Sequence, residues 1–104
     1  MEFTINNPNE TPITMARKLG YRMMGEENGE YNMARSFSQQ NYPRFHIYFR
    51  KNENNDFKMS LHLDQKQASY QGSSAHSGEY DGPLVEQEAR RIMTAGKFYA
   101  NLDL

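Results

Sequence analysis

Residues 44–64 read RFHIYFRKNENNDFKMSLHLD. Two runs in this stretch alternate strictly on either side of a polar tip. In the first, Phe45, Ile47 and Phe49 point one way, and Arg44, His46, Tyr48 and Arg50 point the other. In the second, Phe57, Met59, Leu61 and Leu63 form an apolar side, and Lys58, Ser60, His62 and Asp64 form a polar side. Successive side chains of a strand face opposite ways, so a period of two marks a strand buried on one face. The polar tip KNENND between the runs reads as a hairpin connection. An antiparallel sheet follows, with one face to be covered and one left open.

Two segments can cover the apolar face. Thr11-Pro12 is a helix start, with Thr as N-cap and Pro at the first helical position. Ile13, Ala16 and Leu19 then recur at three-residue spacing, and Gly20 supplies the stop. A helix this short persists only by packing. Gly82-Pro83 opens a second helix, with Val85, Ala89, Ile92, Met93 and Gly96 on one stripe and Gly96 near its end. Asn28-Gly29 is a hairpin turn signal. It predicts strands around Tyr21–Met24 and Tyr31–Phe37, the latter with Tyr31, Met33 and Phe37 on one face and Arg35 interrupting.

The predicted fold class is α+β: an antiparallel three- or four-stranded meander with two helices on one face, in α-β-β-β-α order. Residues 1–10 read as a flexible N-terminal arm and residues 11–104 as one domain. The order parallels that of the double-stranded RNA-binding domain, an analogy of topology only. Such domains carry lysines at the start of the second helix, whereas here the segment reads LVEQEARR.

Composition narrows the function classes. The 104 residues suit one domain with a small core, hiding roughly 60–70% of the unfolded surface. There is no cysteine, which excludes disulfides and thiolate zinc sites. Twelve Lys and Arg stand against thirteen Asp and Glu, a net charge of −1. The balance and the acidic second helix disfavour a duplex nucleic-acid partner. Mean hydropathy is −0.97, yet seven Tyr, six Phe and clear periodicities argue for a fold rather than disorder. Seven methionines suit gap-filling in a core. No apolar run reaches the ~20 residues of a membrane span, and no leader is readable in MEFTINNPNETP, so the expected place is the cytoplasm, with no membrane partner.

The candidate chemistry lies on the polar side of the hairpin. All three histidines, His46, His62 and His76, fall between Tyr42 and Asp81. If Tyr48 pairs with Ser60, His46 faces His62 and Arg44 faces Asp64; a slip of two sets Arg44 against His62 instead. In the first register two imidazoles and a carboxylate converge. His76 or Glu79, from the long connection Gln65–Asp81, could complete a divalent metal set of His46, His62, Asp64 and His76. A metal there could activate water for hydrolysis. A second grouping on that face sets Arg44, Tyr48, Arg50 and Lys58 around the histidines, and Arg with Tyr can hold a phosphate, a carboxylate or a stacked base. A plain hydrogen-bonded surface, with Asp64 pairing Arg44 or Lys66, accounts for the same residues. Adjacent His76 and Ser77 are no triad, because the fold must bring a triad's members together.

The leading functional reading is a non-catalytic binding module for a polar or anionic partner, either an anionic ligand or a protein, using Arg44, His46, Tyr48 and His62. The alternatives are a metal-dependent hydrolase with the His/Asp site and a structural adaptor. The segments YPRFH, HLDQK and HSGEYDGP, within residues 12–92, resemble a small family of uncharacterised bacterial proteins. The resemblance implies a cellular bacterial protein. It implies no activity, cofactor or ligand for any residue.

Overall fold

The computed structural model describes residues 1–6, 8–65, 78–79, 81–96 and 100–102. From the N-terminus these form β1 (Glu2–Ile5), α1 (Pro12–Leu19), β2 (Arg22–Glu27), β3 (Glu30–Ser36), β4 (Arg44–Lys51), β5 (Phe57–Asp64), β6 (Gly78–Glu79), α2 (Pro83–Gly96) and β7 (Ala100–Leu102). The described strands form one antiparallel sheet in the order β2-β3-β4-β5-β1-β7, with β6 pairing β5.

The strands β2 to β5 are the expected meander, but the sheet is wider and the element order longer. Residues 2–5, read from sequence as part of a flexible arm, instead form β1 along β5, with Ile5 opposite Phe57 and Phe3 opposite Met59. Phe3 and Ile5 are buried in the core. Their burial and pairing outweigh the polar composition around them. β7 adds to the far side of β1.

Local signals account for the other elements. In α1 the Thr14 amide donates to the Thr11 Oγ1 at 3.2 Å, and Pro12 opens the first turn. Gly20 ends the helix at φ 82°, with the Tyr21 amide donating to the Ala16 carbonyl at 2.8 Å and the Gly20 amide to that of Arg17 at 3.1 Å. Asn28 and Gly29 both take positive φ, 53° and 84°, as a primed hairpin turn requires.

One core joins the apolar face of the sheet to both helices. Phe45, Ile47, Phe49, Phe57, Met59, Leu61 and Leu63 are buried with Val85, Ala89 and Ile92 of α2 and Met15, Ala16 and Leu19 of α1. Two residues that spacing sets on an apolar face of their own element lie outside the core. Ile13 is exposed, because a three-residue step falls about 60° short of a full turn and carries residue 13 off the arc of Met15, Ala16 and Leu19. Phe37 lies just beyond β3 and is also exposed, its ring 4.8 Å from that of Phe45.

A buried carboxylate ties α2 to the rest. Glu88 shares the stripe of Val85, Ala89 and Ile92 yet is buried. Arg91 grips it, Nε donating to Oε1 at 2.7 Å and Nη2 to Oε2 at 2.8 Å. The Tyr21 hydroxyl donates to Oε2 at 2.6 Å, and Arg35 of β3 lies 3.5 Å from Oε1. Arg91 also donates to the Leu19 carbonyl at the end of α1. Burial and the neighbouring Glu88 push the Tyr21 hydroxyl far above the usual phenol range, so it remains a donor.

The place of β1 in the core can be checked by substitution. Ile5→Ala is expected to cost about 2–5 kcal/mol in urea unfolding, the range for truncating a buried aliphatic side chain. Glu2→Ala, at an exposed position of the same strand, is expected to change stability by less than about 0.5 kcal/mol. Equal small effects would mean that the strand contributes nothing to the core.

Candidate functional site

The β4–β5 register is the one in which Tyr48 faces Ser60. His46 therefore lies opposite His62, and Arg44 opposite Asp64. The hairpin tip supports this register: Asn52 Oδ1 accepts from the amides of Asn54 and Asp56, and the Asn52 amide donates to the Asp56 carbonyl.

The side chains meet on Asp64. Its Oδ2 accepts from Arg44 Nε at 3.2 Å and contacts His46 Nδ1 at 3.2 Å. Its Oδ1 lies 3.1 Å from His62 Nε2. Burial alone would raise the Asp64 carboxyl. The hydrogen bonds from His46, His62 and Arg44 overcome that, and the group is held well below the usual carboxylate range. An ionised carboxylate only accepts, so the ring nitrogens facing it must both carry hydrogen. That assigns Nδ1–H to His46 and Nε2–H to His62. On the far side of the ring, His46 Nε2 is 3.5 Å from the Asn32 side chain of β3.

The polar face is less open at this point than its sequence suggests. His46 and His62 are each only 7% exposed. The two rings lie 4.9 Å apart. Tyr48 adds a third ring, 4.6 Å from His46 and stacked on His62 at 5.7 Å with 12° between planes. Tyr48 itself remains 38% exposed. Mutual contact of the three rings and the pull of Asp64 explain how imidazoles on the outer side of a sheet become buried.

Arg44 is fixed twice, by Asp64 and by the Tyr42 ring, which its guanidinium overlies at 4.5 Å. Arg50 is turned toward the β2–β3 turn, donating to the Asn28 carbonyl at 2.8 Å and lying 3.7 Å from Glu30. Lys58, opposite Arg50, is exposed. Of the sequence-predicted residues, Arg44, His46, Tyr48, His62 and Asp64 thus converge. Arg50 and Lys58 lie at the border, Arg50 against Glu30 and Lys58 exposed. His76, like Ser77, lies outside the described residues. Asn32 and Tyr42 were not singled out from sequence. Asn32 could be found only by pairing β3 with β4, and Tyr42 only by folding the residue before Pro43 back onto Arg44.

His46, His62 and Asp64 each offer a ligand atom, all within 4.8 Å of one another. The donor types suit a divalent ion. Arg44 opposes one, since its guanidinium occupies the same Asp64 oxygen that His46 contacts. Within this cluster the carboxylate already has a cation in place.

The linkage of Asp64 to stability has a fixed sign. A carboxyl whose folded pKa is depressed stabilises the fold fully above its unfolded value, near ~3.9, and loses that contribution as pH falls through the folded value. Asp64→Asn is therefore expected to be destabilising at pH 7 and pH 5. The gap from wild type should narrow below about pH 4. Urea unfolding of both proteins across this range checks it; a gap that stays constant or widens in acid would show that the charge of Asp64 is not what holds the cluster.

Comparisons of the chain with protein-family models, with curated proteins and with solved structures find no match. The functional reading rests on the geometry of this face.

Proposed function

We propose that the protein is a non-catalytic binding module that recognises an anionic partner carrying a planar group, through the face built by Arg44, His46, Tyr48 and His62. One observation carries the reading: Tyr48 is an exposed aromatic ring laid on a buried imidazole pair that Asp64 orients. A ring supported from below has little freedom to lose when a flat group stacks on it. Base–aromatic stacking contributes roughly 1–3 kcal/mol per base. Lys58, exposed at the border of the face, supplies attraction for a phosphate or carboxylate, while Arg44 and Arg50 already lie against Asp64 and Glu30. The burial of both histidines favours a supporting role for them over direct contact with a substrate.

The close spacing of His46, His62 and Asp64 favours a second reading, a divalent metal site serving hydrolysis. Arg44 on the shared carboxylate weighs against it. The two readings separate in a single titration of the full chain with a nucleoside monophosphate panel, a short single-stranded RNA and zinc. The binding-module reading expects nucleotide or RNA binding that Tyr48→Ala weakens by about tenfold, the lower part of the stacking range. It also expects no thermal stabilisation by zinc. Zinc-dependent stabilisation that His62→Ala abolishes, with Tyr48→Ala without effect on any ligand, would favour the metal site and overturn the module.

A further inference from the structure

We propose a second binding site, on the opposite side of the sheet from the His–Asp cluster, that takes a small apolar carboxylate. A cleft of about 310 Å³ lies between the ends of β3 and β4 and the first turns of α2. Phe37, Phe45 and Leu84 form its apolar wall, and Arg35, Gln87 and Arg91 its polar side. The volume is at the low end of the roughly 300–1,000 Å³ of ligand pockets, which fits a small molecule rather than an extended chain.

Two features assign the chemistry. The first is exposed apolar surface. Phe37 and Leu84 are 46% and 47% exposed, and they line one cleft although they come from different elements. Such clustering of exposed apolar side chains marks an interaction site more than isolated exposure does.

The second is charge. Arg35, Glu88 and Arg91 bring two positive charges and one negative charge to the base of the cleft. Arg91 closes on both oxygens of Glu88, at 2.7 and 2.8 Å, and Tyr21 adds a neutral donor. Arg35 reaches the same carboxylate only at 3.5 Å, and its side chain is 36% exposed. The group therefore carries a net positive charge, and Arg35 is the cation placed to share it with a ligand. A carboxylate on Arg35 would complete the charge balance, while its apolar body would lie on Phe37 and Leu84. A neutral apolar molecule would desolvate Arg35 and leave it only the longer contact to Glu88.

The probes are 4-phenylbutyrate and its uncharged amide, titrated into the full chain and followed by amide NMR. The acid is expected to bind about tenfold tighter than the amide, as a charge-assisted hydrogen bond implies. The shifts should centre on Arg35, Leu84 and Gln87. Arg35→Gln should abolish the preference for the acid, and Arg35→Lys should retain part of it. Leu84→Ser, on the exposed surface of α2, should weaken acid and amide alike, and this variant decides the matter if Arg35→Gln does not fold. Equal affinity for acid and amide, a preference that survives Arg35→Gln, unchanged binding in Leu84→Ser, or shifts centred on Tyr48 and His62 would each overturn the proposal. The two sites lie on different faces, so nucleotide binding at Tyr48 succeeds or fails independently of this result.

Discussion

The pairing of Tyr48 with Ser60 is the constraint on which both halves of this protein depend. It sets Phe45, Ile47 and Phe49 against Leu63, Leu61 and Met59 on one face, and Arg44 and His46 against Asp64 and His62 on the other. A slip by one residue would turn the apolar set to water. A slip by two would keep the core face but set Arg44 against His62 and dismantle the contacts around Asp64. Core and site are therefore specified by the same ladder. The rest of the sheet follows from it: β3 aligns on β4 so that Asn32 reaches His46, and β1 aligns on β5 so that Ile5 completes the core.

Much of this was legible in the sequence because it is local. Strict alternation over two runs identifies β4 and β5 and which of their residues are buried. Thr11-Pro12, Gly20, Asn28-Gly29 and Pro83 mark element ends through their own backbone preferences. What was not legible depends on distant partners. EFTI is too short and too polar in context to announce a strand, and it becomes one by pairing with β5. β6 spans only two residues, Gly78–Glu79, and is likewise defined by its ladder to β5. Ile13 shows the limit of spacing alone, since the direction of a helix face is set by what it packs against. Glu88 shows another: its place on an apolar stripe looks like an interruption until Arg91, Tyr21 and Arg35 are seen to surround it.

The candidate site was legible in membership but not in character. Alternation places Arg44, His46, Tyr48, His62 and Asp64 on one face, and the register brings them together. The sequence suggested open, accessible imidazoles. In the fold the carboxylate draws both inward, Tyr48 lies over them, and the accessible group is the tyrosine. The balance between metal and partner binding turns on Arg44, because a guanidinium on Asp64 supplies the positive charge that an ion would otherwise bring. On the other face, Glu88 gathers Arg35 and Arg91 in a similar way.

The central claim is that ionised Asp64 orients both imidazoles, and their tautomers test it most directly. Long-range proton–nitrogen NMR correlations of the ring nitrogens show which of them carry hydrogen. The expected result is Nδ1–H for His46 and Nε2–H for His62, with both assignments lost in Asp64→Asn. A His46 ring whose Nδ1 carries no hydrogen, or spectra for both rings that Asp64→Asn leaves unchanged, would contradict it.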